Sequence, residues 1–253
     1  MNVMKAASAF VVAAALTMPA AFAQNDDAHL QQGVQKALSS SRFKGVQASV
    51  QNGIVTLTGN VDVYAAKVNA DQKIHHVHGV KGVENEIQVA GPEIPDQQLQ
   101  AKLQQAIAYG LVGYVPVAFQ AITVEVQNGA VTLGGHAAGP IAATDAVGIV
   151  ENYKGVKDVV DNIQVDPLSP MDDGIRMRVY RAVYGNPMLN RYAIDPEKPV
   201  RIQVVNGHVT LLGVVDRQSE KDAAGVAANT VPGVFSVTND IAVANAPTEK
   251  PSK

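Results

Sequence analysis

Three histidines within four residues, His75, His76 and His78, form the densest group of metal-capable side chains in this 253-residue chain. His75 and His78, three apart near the end of a helix, could share one ion. A metal centre needs three or four ligands, however, and the chain has no cysteine and places no third ligand beside them. Imidazoles are also favourable beside the negative end of a helix without any metal, so neither metal nor cofactor is expected. For catalysis there is even less. Ser39, Ser40 and Ser41 form a run without a nucleophile motif, and the glycines sit in turns, not in phosphate loops. The absence of tryptophan and an aromatic content of 5% leave no stacking platform for sugars. No catalytic residue is expected. Two groups suited to binding remain: the arginines Arg176, Arg178 and Arg181, and an oily segment containing Leu111, Val112, Tyr114, Val115, Val117 and Phe119.

The elements that position these groups come from a threefold repeat. Asn52-Gly53-Ile54-Val55-Thr56-Leu57-Thr58-Gly59 recurs from Asn128-Gly129 to Gly135 and again from Asn206-Gly207 to Gly213. Without a gap, the spacing of 26 residues from turn glycine to a second glycine is kept at 53 to 79, 129 to 155 and 207 to 233. Asn-Gly is the two-residue loop of a type I′ hairpin. It predicts that Val50 faces Val55 and Ala48 faces Leu57, with Val124 and Val126 against Leu133 and Val131, and Ile202 and Val204 against Leu211 and Val209. In all three copies the apolar side chains then share one face, and the other face is polar, so helices cover one side of the sheet.

A helix precedes each hairpin, with anchors four apart at Leu30, Val34 and Leu38, at Leu99, Leu103 and Ile107, and at Ile175, Val179 and Val183. A second helix follows, carrying Ala70, Ile74 and Val77 in the first copy, with Asp62 and Asp216 as expected caps and Pro140 in a first turn. Each second glycine then opens a last strand, and an aligned polar pair in it (Asn85-Glu86, Asp161-Asn162, Asn239-Asp240) is expected to hydrogen-bond the strand or turn. The resulting class is α+β: three tandem small αββαβ domains, each two helices packed on a three-stranded mixed sheet.

Residues 1–23 read as a secretory signal peptide, with Lys5, an apolar run from Ala6 to Leu16, Pro19 and a small-x-small site at Ala21-Phe22-Ala23. The run is shorter than the roughly 20 apolar residues of a membrane span. Proline-marked junctions divide the rest into domains at 24–91, 92–168 and 169–245, and 246–253 is expected to be a disordered tail. Without cysteine there is neither a disulfide framework nor a lipid-anchor thiol. The expected product is an exported envelope protein, periplasmic in a Gram-negative host.

The Asn-Gly-x-Val-Thr-Leu-x-Gly hairpin, the alanine-bearing helix and the closing Pro232-Gly233-Val234-Phe235-Ser236-Val237-Thr238-Asn239 resemble the BON domain, named for bacterial OsmY and nodulation proteins. Tyr184-Gly185-Asn186-Pro187, followed by Leu189, Arg191 and Tyr192, resembles a subset of these exported proteins. The resemblance covers nearly all of the chain after residue 23. It implies the αββαβ fold, an envelope location, and roles in phospholipid association, osmotic or envelope-stress protection, or chaperone-like maintenance, and it does not imply catalysis. Copy two departs most, since residues 137–140 lack the charges found before the second helix in the other copies.

Charge narrows the partners. Copy one has six acidic and six basic residues, copy two eight and three, copy three eight and eight. Broad attraction to nucleic acid is therefore disfavoured. A local patch of Arg176, Arg178 and Arg181 could meet a phospholipid membrane surface at about 1 kcal/mol per basic residue. The alternative, which a charge run favours, is a solvated face partnered by Asp172 and Asp173. The stretch between first helix and hairpin is 14 residues from Leu38 to Asn52, 21 from Ile107 to Asn128 and 23 from Val183 to Asn206. In copy three it carries Met188, Leu189 and Tyr192. So apolar an insert in copy two must be covered, by its own domain, a neighbouring copy, a lipid, or an unfolded envelope protein held by a chaperone. Packing within the chain is the favoured reading, because large exposed apolar patches are rare in soluble monomers. The oligomeric state is not fixed by the sequence.

Overall fold

The computed structural model describes residues 20–113 and 116–244. Of the expected signal peptide only residues 20–23 fall within it, in the first turn of a helix, and the expected tail lies outside it. The first unit runs α1 (Ala20–Ala37), β1 (Val46–Gln51), β2 (Ile54–Val61), α2 (Tyr64–His75), β3 (Gly82–Asn85) and β4 (Gln88–Val89). The second has α3 (Asp96–Gly110), β5 (Ala121–Gln127), β6 (Ala130–Ala137), α4 (Pro140–Glu151), β7 (Asp158–Asp161) and β8 (Gln164–Val165). The third has α5 (Pro170–Tyr184), β9 (Arg201–Val205), β10 (His208–Leu212), β11 (Val214–Val215), α6 (Gln218–Asn229), β12 (Ser236–Asn239) and β13 (Ala242–Val243). Among the described residues, each insert between first helix and hairpin contains one 3-10 turn, at Ser41–Phe43, Val117–Phe119 and Asn190–Ala193.

The hairpins adopt the register that their turns dictate. Val50 pairs with Val55 and Ala48 with Leu57; Val126 with Val131 and Val124 with Leu133; Val204 with Val209 and Ile202 with Leu211. Asn52, Asn128 and Asn206 have φ of 54°, 54° and 52° and the following glycines 82°, 79° and 78°, the doubly positive pair of a type I′ turn. The glycine at the far end of the motif serves a close approach. A Cβ on Gly59 or Gly135 would sit 2.0 Å from the carbonyl oxygen of Gly45 or Ala121, so nothing larger fits where the two strands of the hairpin diverge.

The last strand of each copy lies parallel to the second hairpin strand, which makes the sheet mixed. The single last strand expected in each copy is instead two short ones. Asn85 Oδ1 accepts the backbone N–H of Ile87 at 3.2 Å, Asp161 that of Ile163 at 2.9 Å, and Asn239 that of Ile241 at 3.4 Å. Meanwhile the intervening amides of Glu86, Asn162 and Asp240 bond back to Leu57, Leu133 and Leu211. The aligned polar pair thus kinks the strand and re-registers it. In copies one and three the same asparagine also donates to a carbonyl of the second helix, Lys67 or Lys221, a bond the carboxylate of Asp161 cannot make. The second helices begin one residue later than expected, with Val63 and Arg217 rather than Asp62 and Asp216 at the cap. Pro140 does open α4.

Helices lie on one face of each sheet over three apolar clusters. Leu30, Val34, Val55, Leu57, Ala70, Ile74 and Ile87 build the first, Leu99, Leu103, Val131, Leu133, Ala146 and Val150 the second, and Ile175, Val179, Val183, Ile202, Val209, Leu211, Ala224 and Ile241 the third. The clusters are not separate by sequence copy. Ala118 and Phe119 of copy two belong to the third cluster, and Tyr64 of α2 packs on the second.

Candidate functional site

Three aspartates hold the repeated turns. Asp27, Asp96 and Asp172 each stand in the first helix of a copy, three residues before its first apolar anchor. Each carboxylate accepts both N–H groups of the facing Asn-Gly pair: Asp27 at 2.7 and 2.9 Å, Asp96 at 2.7 and 3.0 Å, Asp172 at 2.9 and 2.8 Å. A tight hairpin turn leaves these two donors free, and a carboxylate takes both without strain. Asp172, expected as a solvated partner of the arginines, is buried in this role.

The arginines of α5 separate. Arg176 is 3% exposed, because it lies beside the Ile175 stripe rather than opposite it and copy two covers it. Its guanidinium donates to Val204 O at 3.1 Å on the edge of β9 and to Asp173, with Asp166 Oδ2 at 3.6 Å and the Phe119 ring centroid at 5.7 Å. It is a joint residue between copies two and three and presents no surface to a bilayer. Arg178 and Arg181 are exposed, and Arg178 donates to Pro232 O at 3.3 Å.

The oily insert is divided in the same way. Leu111 closes the second cluster and Phe119 enters the third, edge-on to Tyr180 at 5.7 Å. Val112 is exposed, and Tyr114 and Val115 lie outside the described residues. The 117–119 end of the segment therefore docks copy two onto copy three. In copy three the insert forms a clasp. Tyr184 donates to Val200 O at 2.6 Å, and burial pushes its phenol well above the usual range. Leu189 is buried, and the Glu220 carboxylate collects Tyr192 Oη, Arg191 and the amides of Asp216 and Arg217 at the start of α6. Met188 remains exposed.

The histidines do not converge. His75 lies 3.4 Å from Asp71 and His76 Nδ1 is 2.6 Å from Gln72 O, both within one turn of α2. Among the described residues no group of three or more metal-capable side chains occurs, and no helix is long and apolar enough to cross a membrane.

Copy three also differs from the others at the turn end of its sheet. The position after the second glycine and valine is Lys81 in copy one, Lys157 in copy two and Phe235 in copy three. In each case the side chain lies over the turn glycine, Gly53, Gly129 or Gly207. Phe235 is 76% exposed there, 6.0 Å from the His208 ring. Beside it, Arg178 reaches Pro232 O and Gly233. Leu168, just before α5, and Met171, in its first turn, are exposed to a similar degree. In the sequence Phe235 counted only as part of the closing motif, and Leu168 and Met171 were not singled out. The signal that singles out Phe235 is its alignment with two lysines.

Hairpin, strand kink (made by Asn85, Asp161 or Asn239) and aspartate clasp recur in all three units and define a repeated small α+β module. The family described as the BON domain matches residues 26–91, 95–167 and 172–245, and the chain belongs to that family. It is 27% identical over 188 residues to Osmotically-inducible protein Y of Escherichia coli (strain K12), covering 74% of this chain and 92% of that one. Among solved structures, it is similar to CdsD, a structural protein of the type III secretion system of Chlamydia trachomatis, at 14% identity over 85% of this chain and 92% of that one, with a TM-score of 0.25. The C-terminal domain of CdsD matches at 12% identity over 84% of this chain and 96% of that one, with a TM-score of 0.26.

Proposed function

We propose that this chain is an exported, non-catalytic envelope protein that associates with anionic phospholipid surfaces during osmotic or envelope stress, with copy three making the contact. Family membership and the similarity to an osmotically inducible protein support the setting. The observation that carries the contact is Phe235, exposed at the turn end of copy three in the position where the other copies have lysine, with Arg178 beside it. An aromatic ring flanked by guanidinium suits the headgroup layer, where amphipathic and aromatic groups settle and basic residues meet anionic lipid. Copies one and two offer lysines but no comparable ring at this point. A chaperone reading needs the insert at 111–119 as an exposed surface, and Leu111 and Phe119 are inside cores.

Cosedimentation with vesicles tests it. The chain should pellet with phosphatidylglycerol-containing vesicles and not with phosphatidylcholine alone, and Phe235→Lys with Arg178→Gln should reduce binding at least tenfold while leaving the melting temperature within a few degrees. Equal binding to neutral vesicles, or undiminished binding by the double variant, would sink the assignment.

A further inference from the structure

A cleft of about 350 Å³ opens between copies two and three beside the point where the start of β9 meets the chain entering β5. Its aliphatic side chains come from α3 (Ile107 and Ala108), from Leu111 just after it, and from β5 (Ile122 and Val124). Copy three contributes Glu197, Lys198 and Arg201. Glu197 is engaged by Gln105 Nε2 at 2.9 Å. Arg201 differs from the other engaged arginines of copy three. Arg176 at the joint and Arg191 within copy three each have carboxylates in ion-pair range, whereas among the described residues Arg201 has none, and its guanidinium is held by the backbone carbonyl of Gln120.

Burial lowers the pKa of Arg201 from its ordinary value, and the one charge-bearing neighbour that opposes this is the phenol of Tyr184, which is neutral at physiological pH. A guanidinium nevertheless stays protonated in proteins, so this cation is partly dehydrated and, among the described residues, has no carboxylate within ion-pair distance, a state that an anionic group seated directly on it would relieve. The lining beside it mixes aliphatic side chains with Gln104, Gln105 and Gln120 and has no aromatic ring, which suits a flexible chain better than a flat ring. The volume is at the small end of ligand pockets, about 300 to 1,000 Å³, which limits that chain to a short one.

We propose that this cleft binds a short single-chain anionic amphiphile, its acidic headgroup on Arg201 and Lys198 and its alkyl chain along Ile107, Leu111, Ile122 and Val124. The site uses none of the residues assigned to membrane contact, so it can fail or succeed independently of that reading. It places the ligand at the seam between two copies, where occupancy would tie them together.

The probe is sodium decanoate, titrated below its micelle concentration into the full chain with methyl NMR as readout. Saturable shifts should be confined to methyls of Ile107, Leu111, Ile122 and Val124. Decanol, which lacks the charge, and acetate, which lacks the chain, should each bind at least tenfold more weakly. Arg201→Gln should weaken decanoate by tenfold or more. Because Arg201 also pins the joint, two exposed positions serve as independent variants: Lys198→Gln should weaken binding severalfold, and Ala101→Phe, at the rim, should block it. Shifts scattered over the surface, decanol binding as well as decanoate, or full binding by Ala101→Phe would overturn the proposal, as would preferential binding of a short peptide through its C-terminal carboxylate.

Discussion

Asp27, Asp96 and Asp172 show how a single carboxylate can fix the entry angle of a helix and the geometry of a hairpin together. Each ties its helix, one turn before the first apolar anchor, to the two free amides of an Asn-Gly turn. Asp172 is the buried member of the set. Replacing it with alanine should cost about 1.5 to 3 kcal/mol, the usual range for hydrogen bonds to a charged group, and lower the melting temperature measured by circular dichroism. Asp27→Ala, at the more exposed turn, should cost less. Equal melting temperatures for Asp172→Ala and the native chain would contradict the clasp. A second residue-scale prediction concerns Tyr64 of α2. Burial against copy two, then the hydrogen bond to Asp158 and the charges of Asp158 and Glu151, push its phenol up from 10.0 to about 12. A raised pKa means the folded state holds its proton longer than the unfolded one, so this contribution is complete below pH 10 and fades as pH rises through about 12. Tyr64→Phe removes the titrating group. Across that window the native chain should therefore lose melting temperature relative to the variant, and parallel curves would refute the contact.

At the scale of elements, the Val117–Phe119 turn joins copy two to the core of copy three. Phe119→Ala should destabilise by about 3 to 5 kcal/mol, as for other buried phenylalanines, and split calorimetric unfolding of copies two and three into separate transitions. A single unchanged transition would mean the joint is not built on this ring. This docking also explains what could be read from the chain beforehand and what could not. Hairpin register was legible because Asn-Gly and a period of two are local signals that agree with each other. The helix stripes were legible for the same reason. Arg176 was not, since its burial depends on Asp166, Phe119 and Val204 arriving from three other elements. The strand kink was half legible: the aligned polar pair was visible, but not that its first member would capture an amide two residues on. The aspartate clasp was there to be found, three residues before the first anchor in each copy, in any alignment that began at the helix rather than at the turn.

At the scale of the whole molecule, three copies of one framework have been assigned different work. Copy two lends its insert to copy three and, with only three basic residues against eight acidic ones, is poorly suited to an anionic partner. Copy three keeps Arg178 and Arg181 exposed and replaces a turn-capping lysine with Phe235. The framework is held constant by glycine, asparagine and aspartate, and the differences collect at its turn end and at its seams. Because the chain has no tryptophan, Phe235→Trp introduces a sole indole reporter at the assigned contact. On addition of phosphatidylglycerol-containing vesicles its emission should shift to the blue and become shielded from aqueous quenchers, while a tryptophan introduced by Lys81→Trp at the matching point of copy one should stay at its aqueous wavelength. An unshifted, fully quenchable indole at position 235 in the presence of such vesicles would contradict the account.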